Sequence, residues 1–189
     1  MSGGLFARIL LTMARGRNRV TRWARDHPIW FAGLCGTVVA MVGVGTGLTW
    51  GTGYSAARAM IVGVDAPLWF GPAKLLATAA TAIAGLPGGI FAPSLAVGAG
   101  VGNLLREIFP NEPASAVVIL GMVAYFAGVV RAPLTAVIIL SETTASRGLM
   151  LPMFATAFIA DFASQWICRE KLYHGLSQTF AMPGSGKPG

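Results

Sequence analysis

Gly88-Gly89-Ile90-Phe91-Ala92-Pro93 interrupts an apolar region of membrane grade, and its reading decides the fold. Residues 75–86 before it and 94–105 after it carry no charge. A helix does not run smoothly through Leu86-Pro87-Gly88-Gly89, because proline lacks an N–H and glycine favours turn geometry. Unpaired backbone is costly in lipid, so non-helical chain at this depth belongs inside protein or beside an aqueous cavity. One reading starts a new helix near Gly89, with its first N–H groups free and the positive end of its dipole inside the membrane. Such an end suits an anion, and transporters place half-helix N-termini at the bilayer midplane. The other reading is punctuation between two spans, with proline in a first helical turn. Spacing alone does not separate the two.

Composition sets the broad class. Hydrophobic residues make up 54% of the chain and charged residues 11%, against roughly 25% charged in soluble domains. With a mean hydropathy of +0.66 the chain reads as an integral membrane protein. The pI near 10.3 does not point to nucleic acid, since the basic residues are not interleaved with aromatics on a polar domain. Six of the 14 basic residues are arginines between Arg8 and Arg25, beside an apolar run. That is the pattern of a cytoplasmic juxtamembrane segment meeting anionic lipid. Cys35 and Cys168 lie far apart in apolar surroundings and read as packing residues, with no disulfide framework.

Apolar runs divide the chain into an Arg-rich N-terminal segment (1–27), a transmembrane helical domain (28–168), a short helix (169–182) and a tail (183–189). Residues 28–53 are uncharged and long enough to cross a bilayer; the run is too long for a signal-peptide core and reads as a retained span. Arg58 and Asp65 bracket a short segment, and residues 67–86 form a second candidate span with Lys74 near its start. Residues 89–105 are the half-helix, in which Gly98, Gly100 and Gly102 permit close helix approach. Residues 106–113 are a polar turn, and 114–130 a further apolar run interrupted by Arg131-Ala132-Pro133. A short piece, 134–140, precedes a second polar turn over 143–147, and 149–166 is a last span containing Asp161. The fold class is therefore all-α and polytopic, with whole and broken transmembrane helices, as in transporters and channels.

The central hexapeptide closely resembles the anion-binding motif of the CLC family of chloride channels and proton-coupled chloride transporters. Two further segments agree in order. Gly121-Met122-Val123-Ala124, followed by Val130-Arg131-Ala132-Pro133-Leu134-Thr135-Ala136 and Leu140-Ser141-Glu142, resembles the family's late helix pair. Lys171-Leu172-Tyr173 stands where the family has its pore tyrosine, and Gly3-Gly4-Leu5-Phe6 resembles a segment near the middle of a bacterial member. The resemblance covers nearly the whole chain.

It implies that the anion site involves Gly89, Ile90, Phe91, Ala92 and Pro93, with the backbone amides of Ile90 and Phe91 holding a central chloride. Tyr173 would donate its hydroxyl to the same ion; without the resemblance it reads as an interfacial aromatic anchor. Neutral donors hold an anion without trapping it, and conduction needs release. Arg131 is expected to satisfy carbonyls at a helix break, and Glu142 to be structural. Asp161, a carboxylate inside an apolar run, is open to a functional or a hydrogen-bonded structural role. His27 and His174 offer no nucleophile–base pair, and no paired catalytic residues point to an enzyme.

The departures are as specific as the matches. No Gly-Ser-Gly-Ile-Pro or Gly-Arg-Glu-Gly-Pro type motif is present, so the family's serine contribution and gating glutamate have no counterpart. The resemblance therefore implies the second of two inverted repeats plus the pore-tyrosine helix, in the inner or plasma membrane. The Arg-rich segment and the Tyr173 end would both be cytoplasmic. Its partners would be chloride, the lipid bilayer, and a second copy or the missing N-terminal half; no cofactor is expected. The dimer helices of relatives correspond to residues 132–140 and 149–166. A non-transporting fragment or scaffold from a truncated reading frame is the alternative.

Overall fold

The computed structural model of the chain describes Gly3, Gly4, Arg8 and residues 27–84 and 91–167. Among these residues the protein is all-helical: α1 (Pro28–Thr46), α2 (Tyr54–Ile61), α3 (Phe70–Ile83), α4 (Phe91–Arg106), α5 (Ala114–Val130), α6 (Pro133–Thr144), a 3₁₀ turn (Arg147–Leu149) and α7 (Met150–Ile167). Prolines recur in first turns, at Pro72, Pro93, Pro133 and Pro152. A missing N–H costs nothing there, because it would have no intrahelical acceptor.

The first expected span is shorter than the uncharged run that suggested it. Helix α1 stops at Thr46, and Gly47 closes it in the left-handed region (φ 67°), returning its N–H to Gly43 O. Among the described residues, Ile29–Thr46 alone is long and apolar enough to cross a membrane by itself. Helix α2 was not expected as a helix. It starts after Gly53, whose φ of 78° reverses the chain, and buries Ala57 and Met60 beneath an exposed Arg58. The second span narrows to α3. The polar turn expected from residue 143 starts later, because α6 runs on through Thr144. The Thr143 and Thr144 hydroxyls donate to the carbonyls of Ile139 (2.8 Å) and Leu140 (2.6 Å), so the polar residues stay inside the helix.

Helices α4 and α5 form the centre. A Cβ placed on Gly98 would stand 2.7 Å from Met122 Cα, on Gly102 2.6 Å from Val118 Cα, and on Gly121 2.5 Å from Gly102 Cα. Only hydrogen at these positions lets the backbones meet, the arrangement by which helices associate where lipid removes the usual hydrophobic drive. Helix α3 closes on the other side of α4 through Gly71 and Gly100. Phe70, Ile119, Phe126, Leu140 and Met153 fill the core completely. Gly3 lies against the α5 backbone at Tyr125 and Gly128. Ile29, Trp30 and Val44 on α1, and Leu151, Ile159 and Trp166 on α7, are exposed.

Three polar ties hold the bundle's periphery. Lys74, buried in α3, donates to the carbonyls of Thr49 (2.8 Å) and Gly51 (2.6 Å), tying down the loop after α1. Asn103 Nδ2 donates to Ala66 O at 2.8 Å. Arg106, the last residue of α4, reaches Asp65 at 3.1 Å and Asn103 Oδ1 at 3.0 Å.

Candidate anion site

Helix α4 runs antiparallel to α5, with Gly102 opposite Val118, Gly98 opposite Met122, and the Phe91 ring against Phe126 (centroids 5.3 Å apart). Four further residues of α5 follow Phe126, about 6 Å of helix at 1.5 Å per residue. The described start of α4 therefore lies within the length of its neighbour. Of the expected site residues, Phe91 and Ala92 are exposed at this turn and Pro93 is half-buried. Gly89, Ile90 and Tyr173 lie outside the described residues.

Ser94 completes the turn. It is buried, and its Oγ has no hydrogen-bond partner among the described residues. A buried hydroxyl without a partner is uncommon in folded proteins. Ser94 stands one residue beyond the hexapeptide, and a hydroxyl residue this close to the start of a half-helix is the sequence signal that marks it.

The other break, between α5 and α6, is built differently. Arg131 caps α5 in the left-handed conformation (φ 59°), rare for a residue with a Cβ, and its N–H donates to Ala127 O at 2.8 Å. Its side chain was expected to serve carbonyls; among the described residues its Nε donates to Asp161 Oδ1 on α7 at 3.3 Å. Asp161 Oδ2 also accepts from Gln165 at 3.0 Å, and Ser164 Oγ donates to Gly128 O at 2.7 Å. The carboxylate of the last apolar run is therefore half of an ion pair that staples α7 to the end of α5. Glu142 is exposed on α6.

Residues 1–165 match the family model described as voltage gated chloride channel. This chain belongs to the voltage gated chloride channel, or CLC, family. The chain is 28% identical over 181 residues to the voltage-gated ClC-type chloride channel ClcB of Escherichia coli O17:K52:H18 (strain UMN026 / ExPEC), covering 90% of this chain and 43% of that protein. It is 25% identical over 179 residues to the ClcB of Salmonella typhi, with the same shares covered. The chain thus spans less than half the length of the curated relatives it matches. CLC membership makes the apolar helical bundle a membrane protein, and its helical architecture agrees with the family's.

Proposed function

We propose that this chain supplies one half of a chloride-conducting pathway, in a CLC-type channel or proton-coupled exchanger of the inner or plasma membrane. The observation that carries this reading is the opening of α4 within the bundle, beside Phe126, with the unpartnered Ser94 hydroxyl in the same turn. Helix N-termini concentrate free N–H donors and positive dipole, and suit an anion without a fixed cation. On this reading the amides of Ile90 and Phe91 face the ion, and Gly89 lets the backbone approach it. Ala92 and Pro93 shape the turn, and the Tyr173 hydroxyl is a further donor. The printed names of the ClcB relatives support chloride as the ion.

The pathway is multi-pass and is completed by an N-terminal half, in a homodimer whose contact uses residues 132–140 and 149–166. Leu134, Ile138, Phe158 and Phe162 are exposed there, in keeping with that role. Without its complement the chain conducts poorly.

The test is chloride binding by the purified chain in detergent, read as a rise in melting temperature with chloride against gluconate. Tyr173→Phe removes one charge-assisted hydrogen bond and is expected to weaken binding about ten-fold or more; Gly89→Leu is expected to weaken it further. A melting temperature indifferent to chloride, in the chain alone and when it is co-purified with a complementary first half, would sink the reading. It would favour a non-transporting scaffold.

A further inference from the structure

Between α2, the first turns of α4, the middle of α5 and the end of α6 lies a cavity of about 430 Å³. Its size falls within the roughly 300–1,000 Å³ typical of small-ligand sites. The wall is mostly apolar, formed by Ala57, Ile61, Leu95 and Met122 among others. The threonines at its edge are already occupied, since the Thr143 and Thr144 hydroxyls donate to carbonyls of their own helix. What remains polar is Arg58, with Tyr54 beside it.

Arg58 is the unusual member. Arg106 and Arg131 each reach an aspartate, at 3.1 and 3.3 Å. Arg58 contacts no carboxylate among the described residues; its Nη1 donates to the Tyr54 hydroxyl at 3.3 Å. A guanidinium is always charged and offers a planar fork of donors matched to a carboxylate. In an exposed position its stem alone would be ordinary snorkelling. Beside an apolar cavity in a membrane protein, the same group makes a cationic head-site next to a dry tail-site.

We propose that this cavity binds a single acyl chain with a carboxylate head, a free fatty acid drawn from the bilayer, with Arg58 pairing the head. Charge complementarity selects the occupant. One cation at the edge calls for one anionic group, and an otherwise apolar wall calls for an unsubstituted chain. Because Ala92 and Leu95 belong to the wall, the ligand would lie against α4. The inference does not depend on the chloride reading, because its readout is lipid occupancy.

The experiment uses the whole chain in phosphatidylcholine nanodiscs with trace diazirine-labelled palmitate, the crosslinks being mapped by mass spectrometry. Labelling is expected on the wall at Ile61, Leu95 or Met122. Unlabelled palmitate should displace it at least about ten-fold better than palmitate methyl ester, as expected for one charge-assisted contact. Arg58→Gln should lower labelling by a similar factor and Arg58→Lys should retain most of it. Arg58 is exposed, so the fold should survive both changes. Val62→Trp, at the exposed rim, should block labelling while leaving the melting temperature unchanged.

Equal labelling of the Arg58→Gln variant, or equal competition by the ester, would overturn the proposal. So would displacement by phosphatidylglycerol ahead of palmitate, which would make the site one for a two-tailed lipid. Displacement by chloride at matched concentration would make Arg58 a simple anion site. A photo-crosslinking residue at Val62 that captures a second polypeptide in cells would show a protein contact in place of the lipid site.

Discussion

Two places where a helix starts beside a proline, the described opening of α4 and the step from α5 to α6, end in opposite states. At the second, Arg131 pairs with Asp161, Ser164 meets the Gly128 carbonyl, and Gln165 takes the remaining aspartate oxygen. At the first, the described turn contains a buried hydroxyl with no partner among the described residues. Burying polar groups is tolerable when each is met and costly when one is not. The closed break therefore reads as structure. The open one keeps a buried hydroxyl that meets no group among the described residues, as the proposed anion site requires.

The largest expected effect tests the closed break. Asp161→Ala removes the acid that the nearly buried Arg131 guanidinium meets on α7. Removing one partner of a buried pair costs about 3–5 kcal/mol, seen as a lower midpoint when the detergent-solubilised chain is unfolded with SDS. Arg131→Ala added to Asp161→Ala should recover part of the loss. A single mutant as stable as the parent would show that the pair contributes nothing to holding α7, and the contrast between the breaks would fail.

A second test sits on the contact that sets the position of the open break. Gly102→Ala places a methyl 2.6 Å from Val118 Cα, backbone that does not swing aside. Overpacking of this kind costs about 1–3 kcal/mol. Widening the α4–α5 contact should also disturb the Phe91–Phe126 packing and so weaken chloride-dependent stabilisation. The Arg131–Asp161 coupling, held through α7, should be unchanged in a double-mutant cycle. Equal changes in both readouts would mean that the breaks are not mechanically separate.

Parts of this layout were legible in the chain and parts were not, for identifiable reasons. Apolar runs revealed α4, α5 and α7, because helices that surround themselves with apolar neighbours write this into composition. Gly98, Gly100 and Gly102 forecast the close approach because a missing Cβ has one main use between apolar helices. The end of α1 was misplaced: residues 47–53 carry no charge, and only the left-handed Gly47 and the Lys74 tie show that the chain has turned. Helix α2 was missed because eight residues with an arginine in the middle lack the length on which periodicity depends. The Arg131–Asp161 pair joins residues 30 positions apart; a lone acid in an apolar run signals that it has a partner without saying which. Of the hexapeptide, Phe91, Ala92 and Pro93 belong to the described start of α4, while Gly89 and Ile90, like Tyr173 far downstream, lie outside the described residues.

The smallest effect is the sharpest on the contrast, because one substitution is made at both breaks. Ser164→Ala removes a 2.7 Å hydrogen bond and strands the Gly128 carbonyl, for a loss of about 1 kcal/mol. Ser94→Ala removes a hydroxyl that has no partner among the described residues, so the fold should be unaffected or slightly more stable. If the α4 opening holds an anion, the two variants should exchange roles when chloride is added. Ser164→Ala should keep the full chloride-dependent rise in melting temperature, and Ser94→Ala should lose part of it. Were Ser94→Ala to cost as much as Ser164→Ala without chloride, Ser94 would have a structural partner, and the opening of α4 would be as closed as the other break.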